Sequence, residues 1–209
     1  MSDGNIIENL REALAAARGD LNYPFVRSAI VVPLIRREGS VEIVFELRSQ
    51  HLRRSPGEVG FPGGRVEAGE SPWQAALREL EEELGVPGDR VECLGRLPEQ
   101  QRRRDELIIP FVGWLAEDVK LNPDGIEVEE VFTLTLDHLL QNDFQEARLT
   151  EQYTLSDDFP RKYLPDGKWD RKIIRSVRYL TYGKYLIWGL SANILFQLLE
   201  LMVSDFYSN

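Results

Sequence analysis

The stretch from Ser55 to Gly85 constrains this chain most, because a segment dense in Pro and Gly gives way there to a sharply punctuated helix. Ser71-Pro72-Trp73-Gln74 has the order of a helix start: a hydroxyl that accepts from free backbone N–H groups, a proline at the first helical position, and a glutamine able to bond back to the cap. Gly85 stands where a left-handed residue ends such a helix. Between these ends, Trp73, Ala76, Leu77, Leu80 and Leu84 fall within one sector at about 100° per residue and predict a core-facing side. The remainder is acidic. Glu79, Glu82 and Glu83 stand at i, i+3 and i+4, so like charges share one face and repel. A solvated face is one reading of them. The other is a hard-cation site, since Mg2+ or Mn2+ takes carboxylate oxygens plus water and turns the repulsion into coordination.

Around this helix the pattern alternates. An opening helix is expected over about residues 3–18, with apolar spacing from Ile6 and Gly19 after it. Two β-branched runs, Ala29 to Ile35 and Val41 to Leu47, flank a hairpin loop at 36–40. Further strands are predicted at Val91 to Leu97, Ile108 to Leu115, Val131 to Leu136 and Arg178 to Tyr182, with a short helix after Asp137 and a closing helix over about 191–203. The result is a mixed sheet with helices packed on it. No repeat or linker divides the chain, so residues 1–209 are read as one domain.

Charge narrows the partners. With 35 acidic against 25 basic residues and a net charge of -10, a nucleic-acid backbone or an anionic membrane is a poor match. An anionic substrate would need a cation as mediator. The apolar run from Tyr185 to Val203 is broken by Ser191, Asn193, Gln197 and Glu200, which indicates a packed helix and not a membrane span. The single cysteine, Cys93, and the absence of a signal-like opening segment point to a reducing, cytoplasmic setting.

Read from Gly64 to Val86, the chain runs GRVEAGESPWQAALRELEEELGV. It meets every fixed position of the Nudix box, so the chain resembles the Nudix hydrolases. That resemblance implies an α/β fold of the α+β type, a Nudix-like α/β/α sandwich with a mixed sheet between helices. It implies Mg2+ or Mn2+ as cofactor, held by Glu79, Glu82 and Glu83, with Arg78 orienting them and Glu70 either an outer ligand or structural. It also implies hydrolysis of a diphosphate bond in a small nucleotide-containing molecule. Bound metal lowers the pKa of water and neutralises phosphate oxygens during in-line substitution. The proton acceptor is left open among Glu83, Glu82, Glu127 and Glu130.

Upstream of the box, Arg48-Ser49, Arg53, Gly57 and Phe61-Pro62-Gly63-Gly64 are spaced as in the coenzyme A pyrophosphatase branch of that family. The likeness extends to Pro110-Phe111-Val112-Gly113, to the string from Glu127 to Phe132, and to Ile187 through Ala192. It implies cleavage of coenzyme A or an acyl derivative into 3',5'-ADP and 4'-phosphopantetheine, with Arg48, Arg53, Phe61, Gly63 and Gly64 against the substrate; guanidinium forks suit phosphate oxygens. Three departures stand out: Glu46 where the branch has Thr or Ser, the charged loop 100–105, and the long basic segment 159–178, read as a solvated loop. ADP-ribose or another nucleoside diphosphate is the alternative substrate, and a nucleotide-sensing module without catalysis is the alternative of another class. An RNA-end hydrolase would want a basic domain that the chain lacks. His51 and His138 have no partner at metal-ligand spacing, Trp188 and Tyr185 read as core or as adenine-stacking rings, and a homodimer is compatible with all of this.

Overall fold

The computed structural model describes residues 26–103 and 105–206. The expected opening helix at 3–18 lies outside the described residues. The centre of the fold is β1 (Val26–Arg37), whose sequence VRSAIVVPLIRR is apolar almost throughout its middle because both of its faces are covered. One edge of β1 runs parallel to β7 (Glu106–Leu115) over nine paired residues, Val26 with Glu106 through Leu34 with Trp114. Its other edge is shared. The first part pairs with the short β4 (Gly63–Arg65), the last part with β2 (Ser40–Arg48), both antiparallel. Pro33, which has no N–H to give, falls between these two ladders, where β1 needs no donor on that side.

Around this axis lies an eight-stranded mixed sheet, with β3 (Val59–Gly60) and β8 (Val128–Thr135) on β2, and β5 (Val91–Arg96) and β6 (Gln100–Arg103) on β7. Helix α1 (Pro72–Leu84) covers one face: its Ala75, Ala76, Leu80 and Leu84 are buried with Ala29, Val31, Ile35 and Val44. Helix α3 (Gly189–Phe206) covers the other, packing Ala192, Ile194, Leu195, Leu198 and Leu199 against Val32, Leu34, Ile43 and Phe45. The sheet is therefore sandwiched between helices, as the sequence predicts. A short α2 (Leu136–Gln141), capped by the Thr135 side chain, closes the α3 side. No helix among the described residues is long and apolar enough to cross a membrane.

A second, three-stranded antiparallel sheet follows, ordered β11 (Tyr185–Trp188), β10 (Arg171–Tyr182), β9 (Gln145–Tyr153). Here the structure corrects the sequence reading. Segment 159–178 is not all loop; from Arg171 it is strand, and β10 begins seven residues before the expected Arg178. Strand β9 carries QEARLTEQY, nearly all exposed, so ladder hydrogen bonds rather than a buried stripe hold it, and no alternation announced it.

The box helix forms as its ends dictate. Ser71 Oγ accepts from the Gln74 N–H at 3.3 Å, Gln74 Oε1 accepts from the Ser71 N–H at 2.8 Å, and Gly85 closes the helix at φ 66°, ψ 25°, a left-handed conformation that costs a Cβ-bearing residue about 1 kcal/mol or more. Replacing Ser71 by Ala should remove about 1 kcal/mol and lower Tm by roughly 2–4 °C in thermal unfolding. An unchanged Tm would mean that packing alone holds this helix end.

Candidate active site

Helix α1 meets β4 at a point where two backbones and a carboxylate interlock. The Gly63 N–H donates to Glu83 Oε2 at 2.9 Å, and the Asp124 N–H donates to the Glu83 carbonyl at 3.1 Å, so Glu83 is pinned from both sides. Glu79, one turn earlier, lies against Gly64 so closely that a Cβ at that position would overlap its carboxylate. Only glycine permits that approach. Glu79, Glu83, Gly63 and Gly64 open together onto a cleft of about 740 Å3.

Arg78 arranges the acidic face. Its guanidinium donates to Glu70 Oε1 at 3.0 Å and Oε2 at 3.4 Å, to Glu79 Oε1 at 2.8 Å, to Glu82 Oε2 at 3.3 Å and to the Arg65 carbonyl at 3.1 Å. Those bonds hold the Glu70 carboxyl below its usual range, helped by the Glu67 N–H. Glu82, at 60% side-chain exposure, is drawn onto the outer side by Arg78 and does not line the cleft; nor does Glu70. Two of the three box glutamates thus face inward.

A further carboxylate lies where the sequence reading placed a mere departure. Glu46 of β2 is buried at 1% exposure and lines the cleft, and its Oε2 has no hydrogen-bond partner. Between it and Glu83 sits Arg48, with Nη1 3.6 Å from Glu46 Oε1 and 3.8 Å from Glu83 Oε1, and Nη2 3.9 Å from Glu127 Oε2. Arg48 therefore lines the cleft among carboxylates. Burial pushes Glu83 up to about 9, with the neighbouring Glu46 charge adding to it against the Gly63 bond, and burial pushes Glu46 up to about 7 against the opposing Arg48 charge. Burial likewise raises Glu79, opposed by Arg78. The signal for Glu46 was present in the strand SVEIVFELR: parity puts an acid on the same face as buried Val44.

Several expected site residues are placed elsewhere. Glu130 pairs with Leu47 on β2, which puts both on the α3 face, away from Glu46 and Glu83. There it accepts from Lys184 Nζ at 2.6 Å and the Tyr185 hydroxyl at 2.7 Å, bonds that lower its pKa, and it does not line the cleft. Tyr185 is accordingly a packing residue, stacked on Phe132 at 3.7 Å between ring centroids. Glu127 does line the cleft, on a turn whose N–H groups at Ile126, Glu127 and Val128 donate to the Asp124 carboxylate. Arg53 is exposed and off the cleft, whereas its neighbour Arg54 lines it; nothing in the sequence distinguishes the two. Phe61 lines the cleft while its ring packs on Phe45 at 5.1 Å. His51 is an exposed turn residue, and His138 sits in the first turn of α2.

The donor set suits a hard divalent cation: carboxylates crowded in a buried spot, held above their usual pKa by burial and by one another's charge. Among the described residues no three His, Cys, Asp or Glu side chains are grouped so as to hold a metal ion by themselves, and Glu79 and Glu83 are the two box carboxylates that line the cleft.

A sheet between two helices, with a glycine-anchored glutamate helix at the mouth of a cleft, is the framework that the box from Gly64 to Val86 implies. Residues 24–153 match the NUDIX domain. Nudix hydrolase 3 of Caenorhabditis elegans is 32% identical over 191 residues, spanning 87% of this chain and 75% of its own. The mouse peroxisomal coenzyme A diphosphatase NUDT7 is 35% identical over 140 residues, 65% of this chain and 59% of its own length. The Nudix hydrolase NudL of Pectobacterium atrosepticum is 32% identical over 181 residues, 86% and 83% of the two chains. A MutT/nudix family protein from Enterococcus faecalis shares the fold, with a TM-score of 0.54 over 95% of this chain and 69% of that one at 15% identity. The chain belongs to the Nudix family and is a pyrophosphohydrolase. Members of this family generally work with divalent cations.

The Glu46–Glu83 pair makes stability depend on pH. In the unfolded chain both carboxyls ionise near 4.5, whereas folded they stay protonated to higher pH, so folding takes up protons. The pair's contribution is complete below about pH 4.5 and is lost as pH rises towards about 9. With chelator present, the Tm of Glu46→Gln relative to the parent should rise between about pH 5 and pH 8. A constant difference would show the pair already ionised.

Proposed function

We propose that this chain hydrolyses the diphosphate bond of coenzyme A or an acyl-coenzyme A, releasing 3',5'-ADP and the 4'-phosphopantetheine part. The observation that carries this is a single cleft in which Glu79, Glu83 and the Gly63-Gly64 pair share walls with Arg48 of the upstream pattern and which continues past them, with room for groups on both sides of the diphosphate. The mouse relative, a coenzyme A diphosphatase by name, supports the substrate class.

Glu79 and Glu83 would hold Mg2+ or Mn2+, which when bound would neutralise charge on the phosphate oxygens and lower the pKa of water. The protein's own groups do the rest. Gly63 lets β4 close on Ala29 and Ile30 of β1, Gly64 makes room for the Glu79 carboxylate, and Arg78 keeps Glu79 at its angle. Glu127 is best placed to accept the proton of the attacking water: it is partly exposed, it faces the cleft, and the Asp124 turn fixes its backbone. Arg48 balances the carboxylates and offers its guanidinium to the substrate phosphates.

Incubating the purified protein with coenzyme A, ADP-ribose, NADH and dinucleoside polyphosphates, and weighing the products by mass spectrometry, should yield 3',5'-ADP from coenzyme A with Mg2+ or Mn2+ and nothing with chelator. Cleavage of ADP-ribose with coenzyme A left intact would overturn the substrate assignment. Glu83→Gln should lower kcat by about 10² to 10⁴-fold, Glu127→Gln by about 10²-fold, and Glu130→Gln by no more than about twofold. The reverse order for the last two would return the proton acceptor to Glu130.

A further inference from the structure

Beyond its carboxylate end the cleft has a second wall, built by β9, β10 and β11, and most of that wall lies past residue 153, where the family match ends. Pairing register decides which side chains it presents. Arg175 pairs with Leu149, and Trp188 pairs with Tyr179, which is four residues along β10 from Arg175, so Leu149, Arg175 and Trp188 share one face. The opposite face buries Leu180 and Ile187 against α3. All three residues of the first face line the cleft. Leu149 and Trp188 remain 41% and 36% exposed there, and the Trp188 indole makes no ring contact among the described residues.

Three arginines, Arg54, Arg102 and Arg175, line the same cleft as that indole. Arg175 Nε lies 3.3 Å from Glu151. Across the cleft, Arg102 donates to Ser55 Oγ at 3.1 Å and lies 3.9 Å from Glu106, while Arg54 has no ion pair among the described residues. Glu58, Glu106 and Glu151 line the same region, two of them paired with Arg102 and Arg175, which leaves Arg54 as the arginine of this group with no ion pair among the described residues. An exposed aromatic face in a cleft that arginines also line suits a base carrying a phosphate: stacking tolerates any purine, and guanidinium binds a phosphate dianion through paired N–H groups. An uncharged pantetheine arm would have no use for those cations.

We propose that this wall is the subsite for the 3'-phosphorylated adenosine end of the substrate, with Trp188 stacking on the purine and Arg175, assisted by Arg54 and Arg102, binding the 3'-phosphate. The proposal rests on the coenzyme A reading above and assigns the substrate's direction in the cleft: diphosphate at Glu79 and Glu83, adenosine 3'-phosphate towards β10.

The test compares kcat/KM for coenzyme A and dephospho-coenzyme A, which differ only in the 3'-phosphate, alongside calorimetric binding of 3',5'-ADP and 5'-AMP to the full chain. Arg175→Ala should lower kcat/KM for coenzyme A about tenfold through KM and leave dephospho-coenzyme A within about twofold. Trp188→Ala should weaken both substrates, Trp188→Phe should restore them, and Arg148→Ala, on the opposite face of the same hairpin, should change neither. Equal losses on both substrates in Arg175→Ala, or none, overturn the subsite while leaving diphosphate hydrolysis standing. Should the parent protein cleave neither substrate, the coenzyme A reading falls. Tighter binding of 3',5'-ADP than of 5'-AMP, lost in Arg175→Ala, would still support the subsite, and no such difference would refute it.

Discussion

One half-buried hydrogen bond organises the site: the Gly63 N–H to the Glu83 carboxylate. It joins the end of β4 to the last turn of α1, so strand, loop and helix cannot move independently. The Asp124 N–H on the Glu83 carbonyl and the Asn122 N–H on the Leu84 carbonyl tie the loop before β8 to the same helix end. Unsatisfied carbonyls of the final helical turn thereby become the anchor for the segment that carries Glu127. Structural economy and site geometry coincide here, because the groups that close the helix also set the cleft.

Burial gives this arrangement its chemical character. A carboxylate at 3% exposure, beside another at 1%, resists ionisation until positive charge arrives, and Arg48 supplies only part of it at 3.6 Å or more. On the proposed function, an anionic substrate would meet a bound cation and the arginines of the cleft before bare carboxylate, so the acidic chain as a whole would be no barrier to it. Arg78 has a complementary role, holding Glu70, Glu79 and Glu82 in one fan of hydrogen bonds so that their mutual repulsion does not splay the helix face.

The two sheets divide the labour. The eight-stranded sheet, covered on both faces, provides a rigid frame for α1 and β4. The three-stranded sheet is polar and exposed along β9, leans on α3 through Leu180 and Ile187, and offers its other face to the cleft. A wall held chiefly by backbone ladders can vary its side chains with little loss of stability, which is the kind of surface on which substrate preference is set.

Local chemistry in the sequence was enough for the helix between Ser71 and Gly85, with its caps and apolar sector, for the paired β-branched runs, and for the grouping of Glu79, Glu82 and Glu83, because all of these depend on spacing along a few turns. Tertiary structure decided which acids and arginines reach the cleft. Glu130 and Arg53 were read as site residues yet are turned away, whereas Glu46, Arg54 and Arg175 line it. For Glu46, Glu130 and Arg175 the reason is physical: a side chain on a strand goes to one face or the other according to pairing parity with strands distant in sequence, and a one-residue change of register reverses it. Arg53 and Arg54 instead stand on the loop between β2 and β3, whose path only the folded chain sets. Strand β9 leaves no mark in the sequence for a different reason: its stability lies in hydrogen bonds to β10 and not in any apolar pattern of its own.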